Sequence, residues 1–425
     1  MSLSEKVYRT YCEILREELI PATGCTEPIA IAYAAAIARD RLGCMPKKMK
    51  VGLSRNIIKN VKSVVVPATG GMHGIESAAA AGVIAAQPEK RLEILSVLGE
   101  SDVARILDFL AQCEITVEEI DTGHIFEIDL TAYVGEDMAR VRILDRHTNV
   151  VLIEKNGETL QEMGEQQEKE AGADRSLLNV RDIVTFAQEV KIKDIEELLE
   201  RQVQYNMAIA QEGLSGDYGA CVGKVIYAGG SNDVRQRAKA MAAAGSDARM
   251  NGCELPVCIL SGSGNQGITA SVPVIVYAQE RKASREEMFR ALVVSDLVTI
   301  HQKTGIGCLS AYCGAISAGC GCGAGITFLC GGGYEEVAHT IVNAVAILSG
   351  TICDGAKSSC AAKISMAVEA GILGHEMYQS GHQFYGGEGI VTKGVENTIQ
   401  NVGKLARVGM KDTDKEIVKI MLQKN

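Results

Sequence analysis

From Thr304 to Tyr334 the chain runs without one charged side chain, and ten of the residues in that run are glycine. The run is long enough to span a bilayer. Its large aliphatic side chains are sparse, however, and glycine lets backbones approach closely. A close-packed segment inside the protein is therefore the expected state, not a membrane helix. The same habit extends well beyond this run. The sequence has no tryptophan and only six phenylalanines, and most of it after residue 175 is rich in Ala and Gly. Helices that meet through small residues are what such a sequence can build.

The first part of the chain reads differently. Ser2 with Glu5 makes a capping box ahead of Val7, Tyr8, Tyr11, Ile14, Leu15 and Leu19, which keep helical spacing. "PATGCT" interrupts, and "EPIAIAYAAAIARDRLG" restarts a helix with Pro28 in its first turn and Gly43 at its end. "KKMKVGLS" reads as a strand and "HGIESAAAAGVIAA" as a tightly packed helix. "ITVEEI", "IFEIDLTAYV", "MARVRILD" and "VVLIEK" alternate with period two between turn residues, which predicts an antiparallel sheet. Asn156 to Gly172 is polar and acidic and reads as a boundary. "NVRDIVTFAQEV" and "IKDIEELLERQVQYNMAIAQEGL" beyond it are helical. The predicted fold class is α+β. An N-terminal α/β domain with a small, mainly antiparallel sheet covers about 1–160, and a mostly helical, Ala/Gly-rich C-terminal domain covers about 175–425. No repeat of fixed period stands out.

Charge and composition narrow the function. The formal net charge is −10, with acids and bases mixed along the chain and no basic run interleaved with aromatics, so nucleic acid is not an expected partner. The opening segment is a charged amphipathic helix without the apolar core and cleavage site of a signal peptide. A cytoplasmic protein is expected, without membrane attachment and with a homodimer left open. In that compartment disulfides seldom persist, and clustered cysteines point to metal binding or catalysis. Half of the fourteen cysteines fall between Cys308 and Cys360. For Cys12, Cys44, Cys113, Cys221, Cys253 and Cys258 the expected role is packing, because free cysteine behaves as a small buried hydrophobe.

Four stretches carry the candidate chemistry. In "PATGCTEP", Cys25 precedes a helix start, where free amides and the helix dipole would lower a thiol pKa and suit it to act as a base or nucleophile. "SRNIIKNVKSVVVPATGGMHG" ends in a Gly-rich turn before a helix, a possible anion site to which Asn60 and Lys62 could add polar contacts. "SGSGNQG" offers backbone amides for a carboxylate, with Asn265 and Gln266 for orienting hydrogen bonds. The fourth stretch is the cysteine cluster, for which zinc and an iron–sulfur cluster are the candidates. Cys253 with Cys258, and Cys308 with Cys313, reach the long edge of zinc spacing, although Cys258 sits in an apolar run. The C-x₂-C-x₂-C spacing of ferredoxins is absent.

"PATGCTEP", "SGSGNQG", "LSAYCG" and "CDGAKSSCAAK" together resemble the L-cysteine desulfidases. The C-terminal domain of that family is similar to the α part of bacterial iron–sulfur L-serine dehydratases. The resemblance spans nearly the whole chain. It implies a [4Fe–4S] cluster held by three cysteines, no pyridoxal phosphate, and conversion of L-cysteine to pyruvate, ammonia and sulfide. Carried onto this sequence it gives Cys313, Cys353 and Cys360 as cluster ligands and Cys25 as proton acceptor. A "GC…G" element of the serine dehydratases leaves Cys320 or Cys322 as the alternative to Cys313, and Cys308 and Cys330 are expected to pack. Ser261, Ser263, Asn265, Gln266 and Asn60 are the expected contacts to a small amino-acid substrate. L-Serine dehydration needs the same machinery and is the nearest rival. An iron–sulfur sensor and an amino-acid-binding paralogue without turnover are the further alternatives.

Overall fold

The computed structural model describes residues 3–162, 172–307 and 310–422. Helix α1 (Glu5–Glu18) starts at Ser4, whose hydroxyl accepts from the Val7 amide. The cap is therefore Ser4 with Glu5 as the first helical residue, not the expected pair; Ser2 lies outside the described residues. Tyr8 and Tyr11 of α1 pack edge-on against Phe186, so this first helix is held by the later helical part of the chain.

A short strand β1 (Pro21–Thr23) leads into α2 (Thr26–Leu42), which ends on Gly43 in the left-handed conformation. Next come β2 (Lys48–Ser54), α3 (Arg55–Val61), α4 (Gly74–Ala85) and α5 (Glu100–Gln112). Strands β3 (Glu114–Ile120), β4 (Glu127–Val134), β5 (Asp137–Leu144), β6 (Val150–Lys155) and β7 (Glu158–Glu162) complete a six-stranded sheet in the order β3-β2-β4-β5-β6-β7. Only the β2–β3 pair is parallel. Period-two patterning sets one face of the sheet: Met49, Val51 and Leu53 join Ile128, Leu130, Val141 and Ile143 in the core, and α2 covers β4 and β5. Strand β7 corrects the expected boundary at its start. Its residues pair with β6 as an exposed edge, and residues 163–171 lie outside the described set.

The remainder is helical. It comprises α6 (Val180–Glu189), α7 (Glu196–Ser215), α8 (Val222–Ala228), α9 (Val234–Met250), the short strand β8 (Pro256–Cys258), α10 (Gly264–Glu280), α11 (Arg285–Ile306), α12 (Gly314–Leu329), α13 (Tyr334–Ile347), α14 (Cys360–Gln379), α15 (Val395–Lys404) and α16 (Lys411–Leu422). The glycine run forms α12, packed against α11 on one side and α14 on the other. A Cβ on Gly319 would stand 2.3 Å from the Ala367 carbonyl of α14, and one on Gly323 2.5 Å from that of Gly371. A Cβ on Gly321 would stand 2.5 Å from the Ser295 carbonyl of α11, and one on Gly325 2.8 Å from that of Ala291. Each face of α12 thus carries its glycines four residues apart, one helical turn. Cys320 and Cys322, between them, are fully buried. Among the described residues no helix is long and apolar enough to cross a membrane.

One connection prepares the site. Strand β1 pairs antiparallel with β8, Pro21 opposite Cys258 and Thr23 opposite Pro256. The segment leading to Cys25 therefore runs beside the segment leading to Ser261.

Candidate active site

Each of the four motifs contributes to one cavity of about 530 Å³. Cys25 is the N-cap of α2, and Gly24 before it has φ +73°, with space taken by Pro67, where a Cβ would come within 2.3 Å. Thr26 Oγ1 donates to the Gly262 carbonyl at 3.0 Å, fixing the start of α2 to the loop after β8. Ser261 in that loop holds φ +48°, a conformation unusual for a residue with a side chain. Ser263 is the N-cap of α10, and Asn265 and Gln266 lie in its first turn.

Backbone pairing brings two of the three expected ligand cysteines together. The Cys313 amide donates to the Thr351 carbonyl at 3.1 Å and the Cys353 amide to the Ala311 carbonyl at 2.6 Å, around a bridge between Tyr312 and Ile352. Cys313 and Cys353 thereby lie side by side. Cys360 opens α14. Cys25 packs with Val64 and Met250, and Ala356 and Cys360 close onto that group. The "GCTEP" and "CDGAKSSC" motifs are thus in contact. Gly314 also has a role here: a Cβ on it would sit 2.7 Å from the Gln266 side-chain carbon, so the "YCG" glycine makes room for the "GNQG" amide.

Several residues that complete the cavity were not anticipated from sequence. Glu27 is buried and accepts from Cys25 Sγ at 3.2 Å and Asn60 Nδ2 at 2.9 Å, while Thr26 Oγ1, 3.0 Å away, shares its one proton between this carboxylate and the Gly262 carbonyl. Burial pushes its carboxyl pKa up, but His147, the Cys25 thiol, its own backbone amide and Arg249 together hold it below the ordinary value. Burial lowers the His147 pKa, against the pull of Glu27. Arg249, Lys59 and Lys363 also line the cavity. Lys59 is paired with Asp414 of α16, and Lys363 with Asp354. Lys62 points away from the cavity and reaches the Met421 carbonyl instead. Glu27 and Lys363 lie inside the quoted motifs, where they read as helix-forming residues. His147 and Arg249 stand in stretches without any motif, so only the fold brings them in.

Some expectations need correction. The Cys25 thiol is not lowered by its helix start: burial, then the charge of Glu27, push its pKa well above the usual thiol value. Asn60 reaches the cavity, but its amide is taken up by Glu27. Cys44 is exposed and Cys221 half-exposed, whereas Cys12, Cys113, Cys253 and Cys258 are buried as packing requires. Cys320 and Cys322 do not line the cavity. Cys330 is partly buried against the core, and Cys308 lies outside the described residues.

The cysteines have the chemistry of a cluster site. Cys313 donates from its thiol to Cys353, which drives the Cys353 pKa down and that of Cys313 up; Lys59, the Gly355 amide and Lys363 lower Cys353 further. The lowered partner is thereby moved toward the thiolate, the form that binds iron. Among the described residues no three His, Cys, Asp or Glu side chains converge tightly enough for a single metal ion. The three cysteines line one cavity and offer sulfur donors, the ligand type that iron–sulfur clusters take. Lysines beside them offset the negative charge. The donor set therefore fits an iron–sulfur cluster.

Residues 128–419 match the family described as serine dehydratase alpha chain, a span that includes Cys313, Cys353, Cys360 and the "SGSGNQG" loop. The chain belongs to the serine dehydratase alpha-chain family. Among its relatives is a UPF0597 protein of Desulfitobacterium hafniense, 57% identical over 99% of this chain and 98% of that protein. UPF0597 proteins of Treponema denticola and Lachnoclostridium phytofermentans are 46% and 47% identical over 100% and 98% of this chain, and over the full length of each. Membership in the family points to lyase chemistry and to its general association with iron–sulfur centres.

Proposed function

We propose that this protein is an L-cysteine desulfidase, eliminating sulfide from L-cysteine to leave aminoacrylate, which tautomerises and hydrolyses to pyruvate and ammonia. The observation that carries the reading is that Cys25, hydrogen-bonded to Glu27, shares one cavity with Cys313, Cys353 and Cys360. Those three cysteines would hold a [4Fe–4S] cluster, which when bound supplies Lewis-acid polarisation.

The other parts of the reaction fall to the chain itself. Cys25 is the group placed to remove the Cα proton. At rest it keeps its own proton, because it is buried beside the Glu27 carboxylate. Glu27, 3.2 Å away, is the acceptor in contact with that proton; because its own pKa is held down, the transfer is uphill at rest and has to be driven by substrate binding. Asn60 and Thr26 fix the carboxylate in place for this exchange. Ser261, Ser263, Asn265 and Gln266 line the same cavity and orient the amino acid. The closed, largely apolar packing of Cys25 with Val64 and Met250 keeps water from the base.

L-Serine dehydration is the second reading, supported by the description of the matching family. One experiment separates the two. The protein is reconstituted anaerobically with iron and sulfide, and pyruvate is assayed from L-cysteine and L-serine side by side. Pyruvate with matching sulfide from cysteine is expected. Turnover of serine alone would replace the proposal with the second reading, and turnover of neither would remove both.

A further inference from the structure

Arg249 is a deeply buried cation on the cavity wall. It stands in the last turn of α9 and is only 2% exposed. Its Nε is buried with no hydrogen-bond partner. Among the described residues its guanidinium forms no ion pair, whereas Lys59 and Lys363 are matched by Asp414 and Asp354. Glu27 is the carboxylate whose charge it senses, but its oxygens take hydrogen bonds from Cys25, Thr26 and Asn60 and none from Arg249. A buried guanidinium without a hydrogen-bonded anion is costly, and the fold makes room for it deliberately. A Cβ on Gly264 would lie 2.3 Å from Arg249 Nε, so the second glycine of "SGSG" is the space the guanidinium occupies.

Two acceptors in the same cavity are also unmatched. Asn265 Oδ1 and Gln266 Oε1 are buried with no donor. A cation and two neutral carbonyl oxygens form a complementary set for a group carrying a carboxylate and an ammonium. We infer that Arg249 anchors the α-carboxylate of a free amino acid while Asn265 and Gln266 accept from its ammonium, so that the site selects zwitterions. This inference rests on the elimination reading for its choice of amino acid, and not for the pairing itself. Arginine suits the task because its planar fork meets a carboxylate at two points.

The test uses the reconstituted protein and calorimetry with two probes. L-Alanine carries both charged groups but no leaving group. Cysteamine carries the amine and thiol but no carboxylate. In Arg249→Met, L-alanine should bind about 10²-fold more weakly, the usual scale for losing one partner of a buried charge pair, while cysteamine should change by less than about threefold. Arg249→Lys, which keeps the charge and guards against misfolding, should weaken L-alanine by about tenfold. Failure of the wild-type protein to bind L-alanine, unchanged L-alanine affinity in either variant, or equal weakening of both probes would each overturn the assignment. Alanine binding is read without turnover. Arg249-dependent binding in a protein that makes no pyruvate would therefore remove the elimination reading and leave this one intact.

Discussion

The Cys25 thiol donates to the Glu27 carboxylate at 3.2 Å, and both side chains are buried. A thiol in that position cannot ionise by itself, because burial and the neighbouring charge both favour the neutral form. In the proposed reaction Cys25 can act as a base only after a neighbouring group takes its proton, and Glu27 is the acceptor in contact with it.

Cys25→Ser should lower turnover by on the order of 10²-fold or more, the usual scale for a lost general base, with iron content unchanged. Glu27→Gln should lower kcat by a similar factor and leave KM nearly constant, since it removes an acceptor that does not bind the substrate. Normal turnover in Cys25→Ser, measured as pyruvate release, would move the base elsewhere.

Cluster ligands separate from bystanders by iron content. Cys313→Ser, Cys353→Ser and Cys360→Ser should each lose iron and activity together. Cys12→Ser and Cys113→Ser should lose neither. Cys320→Ser and Cys322→Ser should retain iron while lowering stability, because both thiols are fully buried between packed helices. Iron lost from Cys320→Ser but kept in Cys313→Ser would reverse the assignment.

The glycine spacing of α12 gives a stability test away from the cavity. Gly323→Ala would place a Cβ 2.5 Å from the Gly371 carbonyl of α14, which is backbone and cannot swing aside. A cost of about 1–3 kcal/mol is expected from such overpacking, read as a lower urea midpoint. Gly350→Ala meets nothing within 4 Å and is the matched control. Equal midpoints for the two variants would mean that α12 and α14 are not in close contact.

The layers of the fold were legible in sequence to different depths. Period-two alternation in "IFEIDLTAYV" and "MARVRILD" gave β4 and β5, because one face of the sheet is buried by α2. The glycine run gave close helix packing, because residues four apart share a face. Strand β7 was not legible, since "ETLQE" has no apolar face and pairs only as an exposed edge. In the site, Cys25 was visible from its place before a helix start, whereas Cys313, Cys353 and Cys360 were picked out from the other cysteines only by the motifs that carry the family resemblance. His147 and Arg249 were not, because a single histidine or arginine carries no local pattern and gains its meaning from partners far along the chain. The direction of the Cys25 shift was misread for a related reason. A helix start is visible in sequence, but the burial and the acid that outweigh it are not.

Asp296 allows a pH test that does not involve the cavity. It is fully buried on α11, with Oδ1 accepting from Gln202 Nε2 at 2.9 Å and Oδ2 unpartnered. Burial raises its pKa to about 7, with the Gln202 bond pulling the other way. In the unfolded chain an aspartate titrates near its ordinary value of about 3.9. Between those two values the native protein keeps a proton that the unfolded chain has released. The native state then binds more protons, so this residue's contribution to stability is complete below about pH 4 and is lost as pH rises through about 7. Asp296→Asn keeps the shape and the hydrogen bond but has no proton to lose. Urea midpoints of both proteins at pH 5 and pH 8 make the comparison, since every other titrating group contributes equally to each. The wild-type protein should lose more stability than Asp296→Asn over this interval. If the two fall in parallel, Asp296 titrates alike in the folded and unfolded states and must be hydrated in the native protein.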